Sequence, residues 1–300
     1  MRETALSTGR NGSLVGIVTH PEPSPDGRPP PGALLLNSGF LHHVGPHCFY
    51  VRLARELADL GFLTLRLDFS GLGDSLARTD DVDPTESHLS ETREVMDDLS
   101  ARFGCSRFVL LGVCSGARES FEVAWRDDRV IGALLINPWD HLHDGRDEGL
   151  TSELRSRALR RHYLRLVFGS SFRRQVLRQA AKGDLNFALL LKALRGFLSR
   201  SSGMPAPSAS HDAESPLQRM RALRARGTNV LHVYSEGDPS VDYFHVVLGS
   251  SVSEVPFEFV RGTNHTFTPL WSREPLSAVV LQWAKRVLEE HSQPSGTGYP

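Results

Sequence analysis

The stretch Phe108-Val-Leu-Leu-Gly-Val-Cys-Ser-Gly-Ala117 constrains the fold more than any other part of the chain. An apolar run fit for a buried strand leads straight into Gly112-Val113-Cys114-Ser115-Gly116, and helix-forming residues follow. Two glycines set symmetrically about one residue let a helix pass close to the strand it leaves, because neither carries a Cβ. The residue between them then sits in a strained turn, with its side chain presented beyond the strand end. Such a turn needs a sheet to hold it.

The rest of the chain supplies that sheet. Further short apolar runs bounded by turn residues occur at Leu14–Val18, Ala33–Leu36, Leu63–Asp68, Ile131–Ile136, Val230–Tyr234 and Phe257–Val260. They alternate with amphipathic helical patterns from His47 to Gly61, from near Pro84 to Phe103, from Ala117 onward and from Leu276 to Leu288. Strand and helix in alternation predict an α/β fold with a mostly parallel sheet and helices on both faces. Pro21 to Pro31 holds six of the 18 prolines and connects two strands over the surface. Between Asn137 and Arg226 the alternation fails, and arginine-rich helical patterns at Ser152–Phe168, Phe172–Ala181 and Leu185–Leu198 take its place. The expected organisation is a core of residues 1–139 and 227–291, an inserted helical cap at 140–226 and a disordered tail at 292–300.

Composition excludes several classes. The net charge of -1 gives no basic face with which to grip nucleic acid. No apolar stretch approaches the ~18 residues of a membrane span, and Met1 to Gly12 lacks the apolar core of a signal peptide, so a cytoplasmic protein is expected. Cys48, Cys105 and Cys114 form no close pair, which argues against a disulfide scaffold or a cysteine-based zinc site. His42, His43, His47 and Cys48 lie near one another, yet no second ligand group matches them, so no metal is expected.

Cys114 occupies the central place of the turn, where a nucleophile belongs. Ser115, one residue later, is the alternative nucleophile, and its backbone N–H faces a developing oxyanion if Cys114 attacks. A buried small cysteine beside a tight turn is the structural reading of the same residues. In this architecture the acid and then the histidine follow on loops after later strands. Ser235-Glu-Gly-Asp238-Pro239 and Arg261-Gly-Thr-Asn-His265 supply them, with Asp238 orienting His265; Asp140 and Glu236 stay open as the acid. A second oxyanion donor is expected from Asn37-Ser-Gly-Phe40, either the N–H of Phe40 or that of Gly39.

With these residues in place, the chain resembles an α/β-hydrolase across most of its length. Asp68-Phe-Ser-Gly-Leu-Gly-Asp-Ser75 is similar to the D-x-x-G-x-G-x-S turn of that superfamily. More narrowly, Gly45-Pro-His, Val51-Arg-Leu-Ala-Arg, Gly112-Val-Cys-Ser-Gly-Ala117, Asn137-Pro-Trp139 and Arg161-His-Tyr-Leu164 resemble hydrolases associated with exosortase systems and their cysteine-nucleophile relatives. The resemblance implies an α/β-hydrolase fold with a Cys114, Asp238 and His265 triad beneath a helical cap. It implies no particular substrate.

A cysteine nucleophile forms a thioester with the acyl group it takes, so exchange with another thioester is nearly isoenergetic. The expected function is therefore cysteine-dependent acyl transfer, as a thioesterase or esterase-type hydrolase or as a transacylase, on a small-molecule acyl substrate. Coenzyme A or a phosphopantetheine thioester is the candidate donor, with no bound cofactor. Residues 146–226 carry 17 Lys and Arg against 6 Asp and Glu, a net +11, leaving -12 for the remainder. Such a cap suits an acidic acyl or peptidyl carrier protein, with Arg161, Arg165 and Phe168 as candidate substrate or carrier contacts, although solvated helix faces read the same way. Two other functions fit the pattern. One is a carbon-carbon or lactone hydrolase with the same triad, the other a non-catalytic binding protein on the same fold.

Overall fold

The computed structural model describes residues 2–138, 216–236 and 238–292. All seven expected strands are present, and an eighth precedes them: β1 (Arg2–Thr8), β2 (Leu14–His20), β3 (Gly32–Leu36), β4 (Leu63–Asp68), β5 (Phe108–Val113), β6 (Val130–Ile136), β7 (Asn229–Ser235) and β8 (Phe257–Val260). They form one sheet in the order β1-β2-β4-β3-β5-β6-β7-β8. β1 with β2 and β2 with β4 pair antiparallel, and every other pair is parallel.

Six α-helices lie among the described residues: α1 (Phe49–Asp59), α2 (Pro84–Phe103), α3 (Ser115–Arg126), α4 (Pro216–Ala225), α5 (Ser240–Leu248) and α6 (Arg273–Ser292). Local chemistry sets their ends. Asp83 caps α2 by accepting the N–H groups of Thr85 and Glu86 at 2.8 and 3.3 Å, Pro84 takes the first position, and Gly104 at φ 75° closes the last turn. None of these helices is long and apolar enough to cross a membrane.

The parallel strands are buried on both faces, which is why they read as continuous apolar runs. On one face, Leu53, Ala54 and Leu57 of α1 and Val280, Trp283 and Val287 of α6 pack with Leu35, Val109, Leu111, Leu134 and Val233. α2 and α3 pack together, and α3 also packs against β5 and β6. Fully burying each of these larger apolar side chains contributes roughly 1.5–3 kcal/mol.

By internal contacts the chain divides into two units, residues 1–142, 214–238 and 253–300, and residues 143–213 and 239–252. In the second, the described residues form α5, whose first turn carries Asp242 toward the favourable end of the helix dipole. In the first, α4 packs against α3 and β7. Arg219 pairs with Glu122 at 2.7 Å, Arg221 with Glu254 at 2.7 Å and Arg226 with Asp128 at 2.5 Å. Three of the cationic side chains assigned to the cap by sequence are thus neutralised against acids of the sheet unit. The rest of the expected cap, with Asp140, Arg161, Arg165 and Phe168, lies outside the described residues, as does the tail beyond Ser292.

Candidate active site

The turn after β5 shows why its glycines are required. A Cβ on Gly112 would fall 2.1 Å from the backbone carbon of Gly116, and one on Gly116 would fall 2.4 Å from the backbone oxygen of Asn37. Between them Cys114 takes φ 57° and ψ -113°, a conformation that L-residues seldom adopt. The Cys114 N–H is held by the carbonyl of Ile136 at 2.9 Å, and the Val113 N–H by the Tyr50 hydroxyl oxygen at 3.0 Å. Tyr50 is fully buried, and burial pushes its phenol well above the usual range, so it stays a neutral phenol at this post. Gly45 allows Tyr50 its place, since a Cβ there would meet the ring at 2.5 Å.

The loops after β7 and β8 bring the other two expected residues together. His265 Nδ1 is hydrogen-bonded to Asp238 Oδ2, and Asp238 is 1% exposed. The His265 pKa is pushed up to about 10, first by the hydrogen bond with Asp238 and next by one with Cys114, against the opposing effect of burial. Cys114, His265 and Asp238 therefore form a connected chain. Glu236 instead accepts the N–H of Gly262 at 2.6 Å. The other thiols differ: Cys48 is exposed, and burial pushes the Cys105 thiol up to about 12.

The oxyanion candidates separate. The Gly39 N–H donates to Ser115 Oγ at 2.8 Å. The N–H groups of Phe40 and Ser115 have no acceptor among the described residues, and the Phe40 side chain is 96% exposed.

Asn137 is a positioning residue to which sequence reasoning gave no role. It is fully buried at φ 44°, and its side-chain amide donates to His265 O at 2.7 Å and Ser235 Oγ at 3.1 Å. Its Oδ1 accepts the Ser235 N–H at 2.8 Å. One amide at the end of β6 thus fixes the backbone of the histidine and the strand end that leads to the acid. Its only sequence signal was membership of the Asn137-Pro-Trp139 word. Asn137→Ala should lower stability by about 2–4 kcal/mol, by leaving a buried N–H and carbonyl unpaired and straining the backbone. Urea unfolding checks this, and an unchanged midpoint would show that the amide holds nothing.

Behind the loop after β3, Asp68 organises the D-x-x-G-x-G-x-S turn. It accepts Asn37 Nδ2 at 3.0 Å, the His43 N–H at 2.6 Å, His43 Nδ1 at 2.7 Å and the Asp74 N–H at 3.1 Å. Ligand atoms of His43, Asp68 and Asp74 lie within 4.8 Å of one another, and this hydrogen bonding accounts for their closeness.

Comparison with known proteins places this geometry in a family. Residues 28–188 match the family described as serine aminopeptidase, S33. No curated protein matches the sequence. Among solved structures, the chain is similar to an esterase of Pyrococcus furiosus (TM-score 0.56, 13% identity, 95% of this chain and 90% of that one). It is also similar to an α/β serine hydrolase without lid from Xanthomonas campestris (0.51, 16%, 95% and 95%). A third is the naproxen esterase of Bacillus subtilis (0.50, 17%, 95% and 90%). At such identities these likenesses establish the fold. The family description names a serine, whereas the central residue of this turn is Cys114. The matched segment covers more than half of the chain and contains the turn after β5, so the protein belongs to the serine aminopeptidase S33 family of α/β-hydrolases.

Proposed function

We propose that this protein is a cysteine-dependent acyl-transfer enzyme working through an acyl-Cys114 intermediate. The observation that carries the reading is Cys114 at the strained centre of the turn, joined through His265 to a buried Asp238. Asp238 keeps Nδ1 engaged and so turns Nε2 toward the sulfur and the reacting atoms. The Sγ attacks the acyl carbon, and the carbonyl π pair moves onto oxygen, facing the N–H groups of Phe40 and Ser115. Collapse expels the leaving group, which takes the proton held by His265, and leaves a thioester on Cys114. Water, a thiol or an amine then attacks, His265 accepts its proton, and the Cys114 sulfur departs.

Thioesters of coenzyme A or of a carrier-protein pantetheine are the donors that this chemistry favours, because one carbon–sulfur bond replaces another. The carrier would meet the arginines of the cap, including Arg161 and Arg165. The narrower kinship with exosortase-associated hydrolases and their cysteine-nucleophile relatives belongs to this same reading.

A panel of acyl thioesters and activated esters, followed by intact mass, tests the proposal. The expected result is a mass increase by one acyl group on Cys114, lost to water in a hydrolase and to an added thiol or amine in a transferase. Iodoacetamide gives the pH behaviour. Because the His265 pKa lies at about 10, above the ordinary 6.5, imidazolium accompanies the sulfur through neutral pH and is lost as pH rises through about 10. Cys114 should therefore be alkylated at pH 6–7 faster than exposed Cys48, while buried Cys105 is not alkylated. His265→Ala should abolish that neutral-pH advantage. No adduct with any donor, together with alkylation no faster than at Cys48, would favour a non-catalytic binding protein. Turnover restricted to non-thioester substrates would favour the carbon-carbon or lactone hydrolase.

A further inference from the structure

The side chain of Ser115 has no place in the mechanism above, which uses only its backbone. Its Oγ lies 2.8 Å from the Gly39 nitrogen and accepts that N–H. The Ser115 hydroxyl proton, by contrast, has no acceptor among the described residues, and the residue is half-buried. It sits beside the N–H of its own residue and, through Gly39, against the loop that carries the Phe40 N–H, and both N–H groups lack acceptors among the described residues. A hydroxyl oxygen that accepts from a backbone N–H is polarised, and its own proton becomes a better donor.

We propose that the Ser115 hydroxyl is a catalytic residue, the third donor of the oxyanion hole, held in place by the Gly39 N–H. The inference rests on the Cys114 reading, and it assigns Gly39 to holding the donor and leaves Phe40 and Ser115 to face the oxyanion. It also fits a cysteine enzyme. Carbon–sulfur bonds are long, so the oxyanion of a cysteine adduct stands farther from the turn than that of a serine adduct. A side-chain donor adds reach to the two backbone N–H groups.

An aryl trifluoromethyl ketone tests this directly. The Cys114 sulfur adds to the ketone carbon to form a hemithioketal, the carbonyl oxygen becomes the oxyanion, and the thiol proton stays on His265. 19F NMR reports both the adduct and the pH at which its oxygen ionises. In Ser115→Ala the inhibitor should bind 10- to 100-fold more weakly and the oxygen should ionise at a higher pH, with substrate KM unchanged. Ser115→Thr, which keeps a hydroxyl, should restore both. A merely structural role for Ser115 would not move the ionisation of the adduct. If wild type and Ser115→Ala show the same affinity and the same ionisation, the hydroxyl is not a donor. If wild type forms no adduct at Cys114 at all, the nucleophile assignment fails and takes this proposal with it.

Discussion

Cys114→Ala should abolish turnover, lowering kcat by about 10⁴-fold or more on any acyl donor that the wild-type protein uses. Alanine keeps the small volume of the turn and removes only the sulfur, so the loss reports chemistry. The φ of 57° at Cys114 costs the same kind of strain in either residue, and the folded protein should unfold at nearly the same denaturant concentration. Asp238→Asn should give a loss of similar order, about 10³- to 10⁴-fold, because an amide cannot hold a charged imidazolium as a carboxylate does. Their effects should not add, since each removes one link of the same chain from Asp238 through His265 to Cys114. The readout is steady-state turnover with intact mass of the acyl-enzyme. A Cys114→Ala protein that keeps even a tenth of wild-type activity would require Ser115 or another group to be the nucleophile.

Gly112→Ala should be the most damaging change of a single methyl group. The added carbon would lie 2.1 and 2.2 Å from the carbon and oxygen of Gly116 and 2.5 Å from the Ala117 nitrogen, all backbone atoms with no rotamer to relieve the clash. α3 would have to move away from β5. We expect a loss of more than about 3 kcal/mol in urea unfolding, beyond the range of ordinary overpacking. Turnover should collapse in the fraction that remains folded, because α3 carries Ser115, the proposed oxyanion donor. Near-normal stability together with full activity would mean that the turn is looser than these distances say.

Most of the sheet could be read from the chain because its strands are buried on both faces, and continuous apolar runs such as Phe108–Val113 stand out against polar surroundings. β1 could not. It is an edge strand in which only Leu6 and Thr8 are buried, so RETALST offers no apolar run to mark it. The helix SVDYFHVVL was missed for the opposite reason, being apolar nearly all round and lacking a polar face to set the period. At the candidate site, the meeting of Cys114, Asp238 and His265 was legible because chain order and strand ends locate them. The hydrogen bonds that complete the site were not. Gly39 and Ser115 lie 76 residues apart, and Asn137 and His265 lie 128 apart, separations at which local sequence carries no pairing signal.

The docking of α4 bears on where this protein can be cut. Sequence rhythm ends the insertion at Arg226, and a shortened gene built on that boundary would delete residues 216–226 with the rest. It would then strip Glu122, which is 8% exposed, of Arg219, and the guanidinium would also leave the faces of Phe121 and Trp125 at 4.8 and 5.4 Å. Among the described residues a buried carboxylate would be left with only Arg126 beside it, an arrangement that breaks folds more readily than the loss of a surface helix does. A minimal version of the enzyme should rejoin the chain before Pro216, retaining α4 as part of the scaffold that keeps α3, and with it the reactive turn, in register.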